Sequence, residues 1–420
     1  MDRRQFAITA ASLCAAGASN PSASAQSASA QSASTQSTPE SFPVAVIGHT
    51  GRGDYGHGLD TVWKRIAETP ILAVADANAS GRAKTLNKLG LADDAGYAGY
   101  REMLAKVSPS IVAVCPRHVD QHRDMILASI EAGAKGIYVE KPFVRTPREA
   151  DEVLAACAKH GAKVAVAHRN RYHPVLDVIA DLIRQEQIGR VLEIRGRGKG
   201  DRRGGGEDLW VLGSHVLNMI TALAGKPQSC SAVLMHDGRP VTKQDVRQGA
   251  EGLGPLAGDE LHARFLFDRG LTVYFDSVAN DGTANQGFGL QIIGSKGTIA
   301  IYADRTPLAY LASGNPFERR DPPPRWLPIT SGGVDVPEPN PELIRRVQHH
   351  DVAAADLIQA IRDDREPLCN AAEAALTVEM ICGVFESHRQ NGAAVTFPLE
   401  QRDHPLLHLP GRGVGKGDGG

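Results

Sequence analysis

The sequence predicts an α/β unit with a parallel sheet and helices on its faces, followed by an α+β unit with an open, mostly antiparallel sheet. The first half of that reading rests on alternation. Short apolar, β-branched-rich runs (Val44–Ile47, Ile71–Ala75, and residues 111–115, 137–139 and 163–167) are separated by helix-length segments such as residues 121–132 and Pro147–His160. Strands interleaved with helices indicate a parallel sheet covered on both sides. The second half rests on a change of rhythm past Ala167. After a helical stretch at residues 174–185, strand patterns at residues 191–195, 230–235, 261–267, 271–277 and 298–302 follow with few helices between them. Two of these are joined by Asp268, Arg269 and Gly270, the best hairpin signal in the chain. A proline-rich stretch then leads into helical patterns at residues 350–362 and 370–388.

Size and composition narrow the function classes. A chain of 420 residues, 42% hydrophobic and 22% charged, buries a large core and is long enough for two domains. Its formal charge of -2 creates no field that would gather nucleic acid or anionic lipid, so neither is expected as a partner. A small uncharged ligand is the default. The six cysteines (Cys14, Cys115, Cys157, Cys230, Cys369 and Cys382) show no Cys-x-x-Cys spacing, and the paired His349 and His350 read as a helix entry, so no metal site is expected.

The ends of the chain read differently. Arg3 and Arg4 precede a short apolar run, and small residues follow through Ala25, a pattern that resembles a twin-arginine export signal over residues 1–25. Residues 26–42 continue as a Ser/Ala/Gln-rich linker, the first domain is expected over residues 43–167, the second over 168–407, and a glycine-rich tail over 408–420. The expected location is therefore the periplasm, with a soluble mature protein, since no stretch approaches the roughly 18 to 20 apolar residues of a membrane span.

The first candidate site lies where the first strand ends. Gly48, His49, Thr50, Gly51, Arg52, Gly53, Asp54, Tyr55 and Gly56 are followed by what reads as the start of a helix. Glycines there let the backbone approach a pyrophosphate that the helix N-terminus stabilises. A compact dinucleotide loop would have glycine where Thr50 stands, so Gly51, Gly53 and Gly56 supply a shifted, longer version. The second strand ends on Asp76, where a dinucleotide-binding fold places the acid that accepts hydrogen bonds from the adenosine ribose. That carboxylate would repel a 2′-phosphate, which favours NAD. The nearby Arg82 keeps NADP as the second choice.

The most specific signature is Glu140, Lys141 and Pro142 directly after the strand at residues 137–139. With Pro116 after the preceding strand, His122 opening the next helix, Glu131-Ala132-Gly133 closing it, Arg171-Tyr172-His173-Pro174 entering the second domain, and Arg365-Glu366-Pro367-Leu368 late in the chain, it resembles the Gfo/Idh/MocA oxidoreductases. The resemblance implies a Rossmann domain holding NAD, a sugar or polyol substrate between two domains, and a homo-oligomer formed through the open sheet. It assigns Lys141 beside the nicotinamide and the substrate hydroxyl, with His49, Pro116, His122 and Glu140 on the cofactor side and Arg171 and Tyr172 on the substrate side. Physically, a lysine at the carboxyl end of a parallel strand faces the crevice where ligands bind, and burial would fit it to relay a hydroxyl proton.

The resemblance also implies a histidine in the segment Gly204 to His215, matched by His215, with an aspartate four residues earlier. Val211 stands in that place. Glu207 and Asp208 are candidate substitutes, with helix capping as their alternative role, and Trp210 is a candidate substrate contact. The run Arg195, Arg197, Lys199, Arg202 and Arg203 either contacts an acidic sugar or forms a solvated loop paired with acids. Two rivals to a sugar or polyol dehydrogenase stand beside it: an NAD-dependent glycosidase using transient oxidation, for which the broken pair leaves room, and, because fold does not fix function, an inert binding or regulatory scaffold that keeps Lys141 for packing.

Overall fold

The computed structural model describes residues 40–284 and 286–410; the expected export signal, most of the expected linker and the last ten residues of the expected tail lie outside them. A six-stranded parallel sheet comes first, in the order β3-β2-β1-β4-β5-β6. Its strands are β1 (Val44–Ile47), β2 (Ile71–Ala75), β3 (Gly96–Tyr97), β4 (Ile111–Val114), β5 (Gly136–Val139) and β6 (Lys163–Val166). β1, β4 and β5 are buried at every position, as strands covered on both faces must be. The helices α1 (Ala79–Leu89), α2 (Tyr100–Val107), α3 (His122–Glu131) and α4 (Pro147–His160) connect them. Local sequence sets their ends. In α4 the Thr146 side chain accepts from the Glu149 amide, Pro147 occupies the first turn, and Gly161 closes the helix at φ 68°.

The second unit opens with α5 (Val175–Arg184), followed by β7 (Val191–Arg197), α6 (Gly205–Asp208), a π-helical turn at Leu209–Gly213, and α7 (Ser214–Ala224). Then come β8 (Pro227–His236), the two-residue strands β9 (Arg239–Pro240), β10 (Arg247–Gln248) and β11 (Pro255–Leu256), and β12 (Glu260–Phe267). β13 (Thr272–Val278), β14 (Gly289–Gly294), β15 (Gly297–Tyr302), β16 (Ala309–Ser313), β17 (Trp326–Thr330) and β18 (Gly333–Val334) complete the run, and α8 (Pro341–Gln348), α9 (Asp351–Arg362), α10 (Ala371–Arg389) and β19 (Val395–Thr396) end the chain. The large sheet runs β18-β17-β16-β15-β14-β7-β13-β12-β8-β19, with β9 beside β8, and only β7 and β13 pair in parallel. β12 and β13 alternate buried and accessible residues, so one face is packed and the other is open. Phe265 and Phe275 belong to the buried set, as does Phe385 of α10.

One element differs from expectation at the place that matters most. No helix follows β1 at once: the chain runs in turns from Thr50 to Thr61 and forms only a four-residue 3-10 helix, Val62–Arg65. The sequence explains it. Five glycines in eleven residues (Gly48, Gly51, Gly53, Gly56 and Gly58) penalise a helix, and Gly51, Gly53, Gly56 and Gly58 all adopt positive φ.

Candidate active site between the two sheets

Lys141 leaves the carboxyl end of β5 and is 8% exposed. Its Nζ donates to the Val211 carbonyl at 2.9 Å. The acceptor belongs to the π-helical turn, so position 211 serves the lysine through its main chain while the valine side chain is buried. Single π turns inside helices recur at functional sites because they shift the register of the residues that follow. Here the turn delivers His215, one residue into α7, to the same cavity that Lys141 lines.

That cavity is about 240 Å³. His57, Glu140 and His350 border it on one side, and Asn170, Lys199 and Asp304 on another. Burial lowers the Lys141 pKa, with Glu140 partly holding it up. Burial also takes His215 well below the ordinary histidine value, assisted by the charge of Lys141 and by His168, whose ring meets it edge-on at 5.4 Å. His168 itself is pushed down to about 3 and His350 to about 4, both mainly by burial. For Glu140, burial pushes the pKa up, but the His57 hydrogen bond at 2.5 Å and the neighbouring positive charges outweigh it and the net shift is downward. The result is an ionised Glu140, an amine easier to deprotonate than an exposed lysine, and His168, His215 and His350 held neutral by burial. Such a set can take up and pass on a hydroxyl proton.

Unpartnered atoms show what the cavity lacks. Among the described residues, Glu140 Oε2 and His350 Nε2 are buried without a hydrogen-bond partner. Tyr138 holds the other ring nitrogen of His350 at 2.6 Å. Buried polar groups of this kind are normally satisfied, so their natural complement is a ligand rich in hydroxyl groups.

The other sequence candidates fall into three groups. His122 is fully buried and supports the site from behind, bridging the Pro116 carbonyl at 2.6 Å and the Pro142 carbonyl at 2.9 Å. Arg171, Tyr172, Glu207, Asp208 and Trp210 do not line the cavity. Arg171 pairs with Glu373 at 2.7 Å and donates to the Asn218 carbonyl, and the Tyr172 hydroxyl accepts from the Cys369 amide. Asp208 accepts from Ser277 Oγ at 2.5 Å and from the Lys199 amide, so it anchors the loop after β7. Trp210 is core, at 0% exposure. Thus Asp208 does not stand in for the missing aspartate, and Glu207 stays outside as well. From the basic run, Lys199 alone reaches the cavity, while Arg195, Arg197 and Arg203 pair with Glu193, Asp281 and Asp201.

The third group is the glycine-rich segment, which lies across the carboxyl ends of the strands instead of turning into a helix. His49 and Asp54 pair as an isolated antiparallel bridge. Gly48 is needed because the Tyr55 ring occupies the space of its absent side chain, 2.1 Å from where a Cβ would be. Asp76, expected at the ribose, is 1% exposed. Its carboxylate accepts from Thr50 Oγ1 at 2.6 Å, Tyr55 Oη at 2.9 Å, and the amides of Thr50 and Asn78. Arg82 donates to the main-chain carbonyl of Asp76 and not to a phosphate position. His49 is held by Gln121 at 2.5 Å. The Asp76 carboxylate is thus engaged by Thr50, Tyr55 and Asn78 of the chain itself, while Glu140 and Lys141 line the cavity.

Sequences missed His57, Asn170, Asp304, Phe288 and His350, which come from five different elements and loops and have no motif in common. His350 was read with His349 as a helix entry, and it does head α9, at φ 68°, while also lining the cavity.

Comparison with known proteins agrees with this architecture. Residues 42–168 match the oxidoreductase family with the NAD-binding Rossmann fold, and residues 180–397 match that family's C-terminal alpha/beta domain. Levoglucosan dehydrogenase of Pseudarthrobacter phenanthrenivorans is 24% identical over 273 residues, covering 59% of this chain and 69% of the relative. D-apiose dehydrogenase of Paraburkholderia graminis is 22% identical over 373 residues, covering 83% and 89%. Among solved structures, levoglucosan dehydrogenase in complex with NADH superposes with a TM-score of 0.67 at 19% identity, over 86% of this chain and 100% of the other. An NAD binding oxidoreductase from Klebsiella pneumoniae gives 0.64 at 18% identity, over 85% and 99%. With both family domains matched in order over most of its length, the chain belongs to the Gfo/Idh/MocA family of NAD-binding oxidoreductases.

Proposed function

We propose that this oxidoreductase acts on a carbinol of a sugar or sugar-like polyol, with Lys141 carrying the hydroxyl proton. The observation that supports it most is the buried Lys141 amine at the end of β5, facing a cavity whose Glu140 and His350 atoms want hydroxyl partners. Lys199 adds a donor for another hydroxyl, the Asn170 amide nitrogen being held by the Ala303 carbonyl, and neutral His215 lining the same cavity supports a role in passing the proton on. Redox equivalents are the nicotinamide's part of the chemistry, and the chain's part is orientation and proton handling. The relatives named for levoglucosan and D-apiose support a sugar substrate. The test is to purify the protein without added nucleotide, identify any bound cofactor by mass, and screen sugars and aryl glycosides. Nicotinamide reduction with a sugar is the expected result. Release of the aryl group without net reduction would favour the redox-neutral glycosidase instead.

Two wider proposals accompany this one. Export by the twin-arginine route to the periplasm is supported by Arg3, Arg4 and the apolar run after them. Among the described residues no helix is long and apolar enough to cross a membrane. Self-association through the open face of the large sheet is supported by the accessible residues of β12 and β13, and light scattering measures it.

A further inference from the structure

In an open parallel sheet the nucleotide lies where the strand order reverses, outside the carboxyl ends of the strands. Here that point lies between β1 and β4, the central neighbours of the sheet. The segment from His49 to Gly58 spans it. At one end Thr50 and Tyr55 saturate Asp76, at the tip of β2. In the middle, the Arg117 amide just past β4 donates to the Gly53 carbonyl at 3.0 Å, and Arg52 pairs with Asp120 at 2.5 Å. At the other end His57 holds Glu140 beyond β5. The fit is close: a Cβ on Gly53 would lie 2.4 Å from the Arg117 nitrogen, and one on Gly56 would lie 2.7 Å from the Cys115 carbonyl oxygen. The gap between the β1 and β4 turns, through which a dinucleotide must pass, is bridged by direct hydrogen bonds of the chain.

We propose that residues 49–58 form a strap that occupies the dinucleotide crevice, and that NAD binds only when this strap swings out and frees Asp76. The proposal rests on the oxidoreductase reading above. It makes the glycines serve closure, not pyrophosphate contact, and sets the apparent affinity by the fraction of molecules with the strap open.

Two sets of variants separate the alternatives. Arg52→Ala with Tyr55→Phe removes one anchor in the middle of the strap and one at its Asp76 end, and Gly53→Ala places a methyl group against the Arg117 backbone. Calorimetry with NAD alone should show both sets binding at least about tenfold more tightly than the native chain, because the open fraction rises. If the glycines instead cradled a pyrophosphate, Gly53→Ala would bind more weakly. Arg52→Ala alone, with a side chain 47% exposed, serves if the other variants fail to fold. Hydrogen exchange supplies the second readout: the Thr50 and Arg117 amides should be protected in the free protein and lose that protection when NAD is added. Tight NAD binding by the native chain with no gain in the variants would overturn the strap and leave the proposed reaction standing. No NAD binding by any form at millimolar concentration would overturn both.

Discussion

Replacing Lys141 by Met keeps the stem's bulk and deletes the ammonium, and the structure sets two magnitudes against each other. On stability, the variant loses the bond to the Val211 carbonyl, worth about 1–3 kcal/mol if that acceptor is left buried and unpaired. It also escapes the cost of holding a cation that is 8% exposed. These terms oppose each other, so the melting temperature should move by no more than a few degrees. On turnover nothing offsets the loss. A missing general acid-base costs roughly 100-fold to 10,000-fold, or about 3 to 5 kcal/mol of barrier. The assay is single-turnover nicotinamide reduction with a screened sugar at saturating NAD. In the native enzyme the oxidation rate should rise with pH as the amine deprotonates, and level off at a pH below the ordinary lysine range, because burial lowers the Lys141 pKa. The Met variant should lose that inflection together with the rate. A folded variant that turns over near the native rate would refute the role of Lys141 and move weight to an inert scaffold.

Further changes probe other parts of the argument. His215→Ala should reduce turnover less than Lys141→Met if the lysine acts alone, and by a similar factor if the two work as a unit, which the double variant decides. Asp76→Ala orphans the Thr50 and Tyr55 hydroxyls and two amides, so denaturant titration should show a loss of about 2–4 kcal/mol even without NAD. His350 and His404 are both held down to about 4 by burial, so they are neutral in the fold but take up protons in the unfolded chain below about pH 6.5. The unfolded state then binds more protons, and stability should fall as pH drops from 6.5 towards 4, by of order 3 kcal/mol for each histidine. His404 stacks on Phe385 and has no hydrogen-bond partner among the described residues, so His404→Phe should flatten that slope by about one proton without unfolding the protein. An unchanged slope would show that His404 is already solvated.

Much of the framework was legible because the strands and helices announce themselves by period. β1 and β2 begin and end where the alternation puts them, as does α4, whose Thr146, Pro147 and Gly161 mark both ends. Lys141 was legible from the family resemblance carried by Glu140, Lys141 and Pro142, together with its place at the carboxyl end of a parallel strand, which faces the crevice. What failed was the step from motif to geometry. The glycines after β1 suit a phosphate loop and also suit a folded segment, and nothing in the sequence announces that Tyr55 packs on Gly48. Val211 read as a lost aspartate because the eye compares side chains, while the contact that matters is its carbonyl. Glu207 and Asp208 were offered as substitutes for the missing aspartate, and the π turn at Leu209–Gly213 changes the register between them and His215. The strands β14, β16 and β17 went unread because neighbouring glycine and proline blur their alternation.

The helices at the end of the chain have a bearing on how this protein comes to be folded at all. α9 packs on β5 and β6, with Ile361 filling the space left by Gly136, and Asn370 forms a bridge with Ala165. Arg362 reaches back to Glu68, and His350 to Tyr138. The first sheet therefore obtains part of its covering layer from residues made only after strands β7 to β18 of the second unit. Until the ribosome has released α9 and α10, the nascent amino-terminal half must wait with part of β5 and β6 bare, and a fragment ending near residue 168 would inherit that exposure permanently.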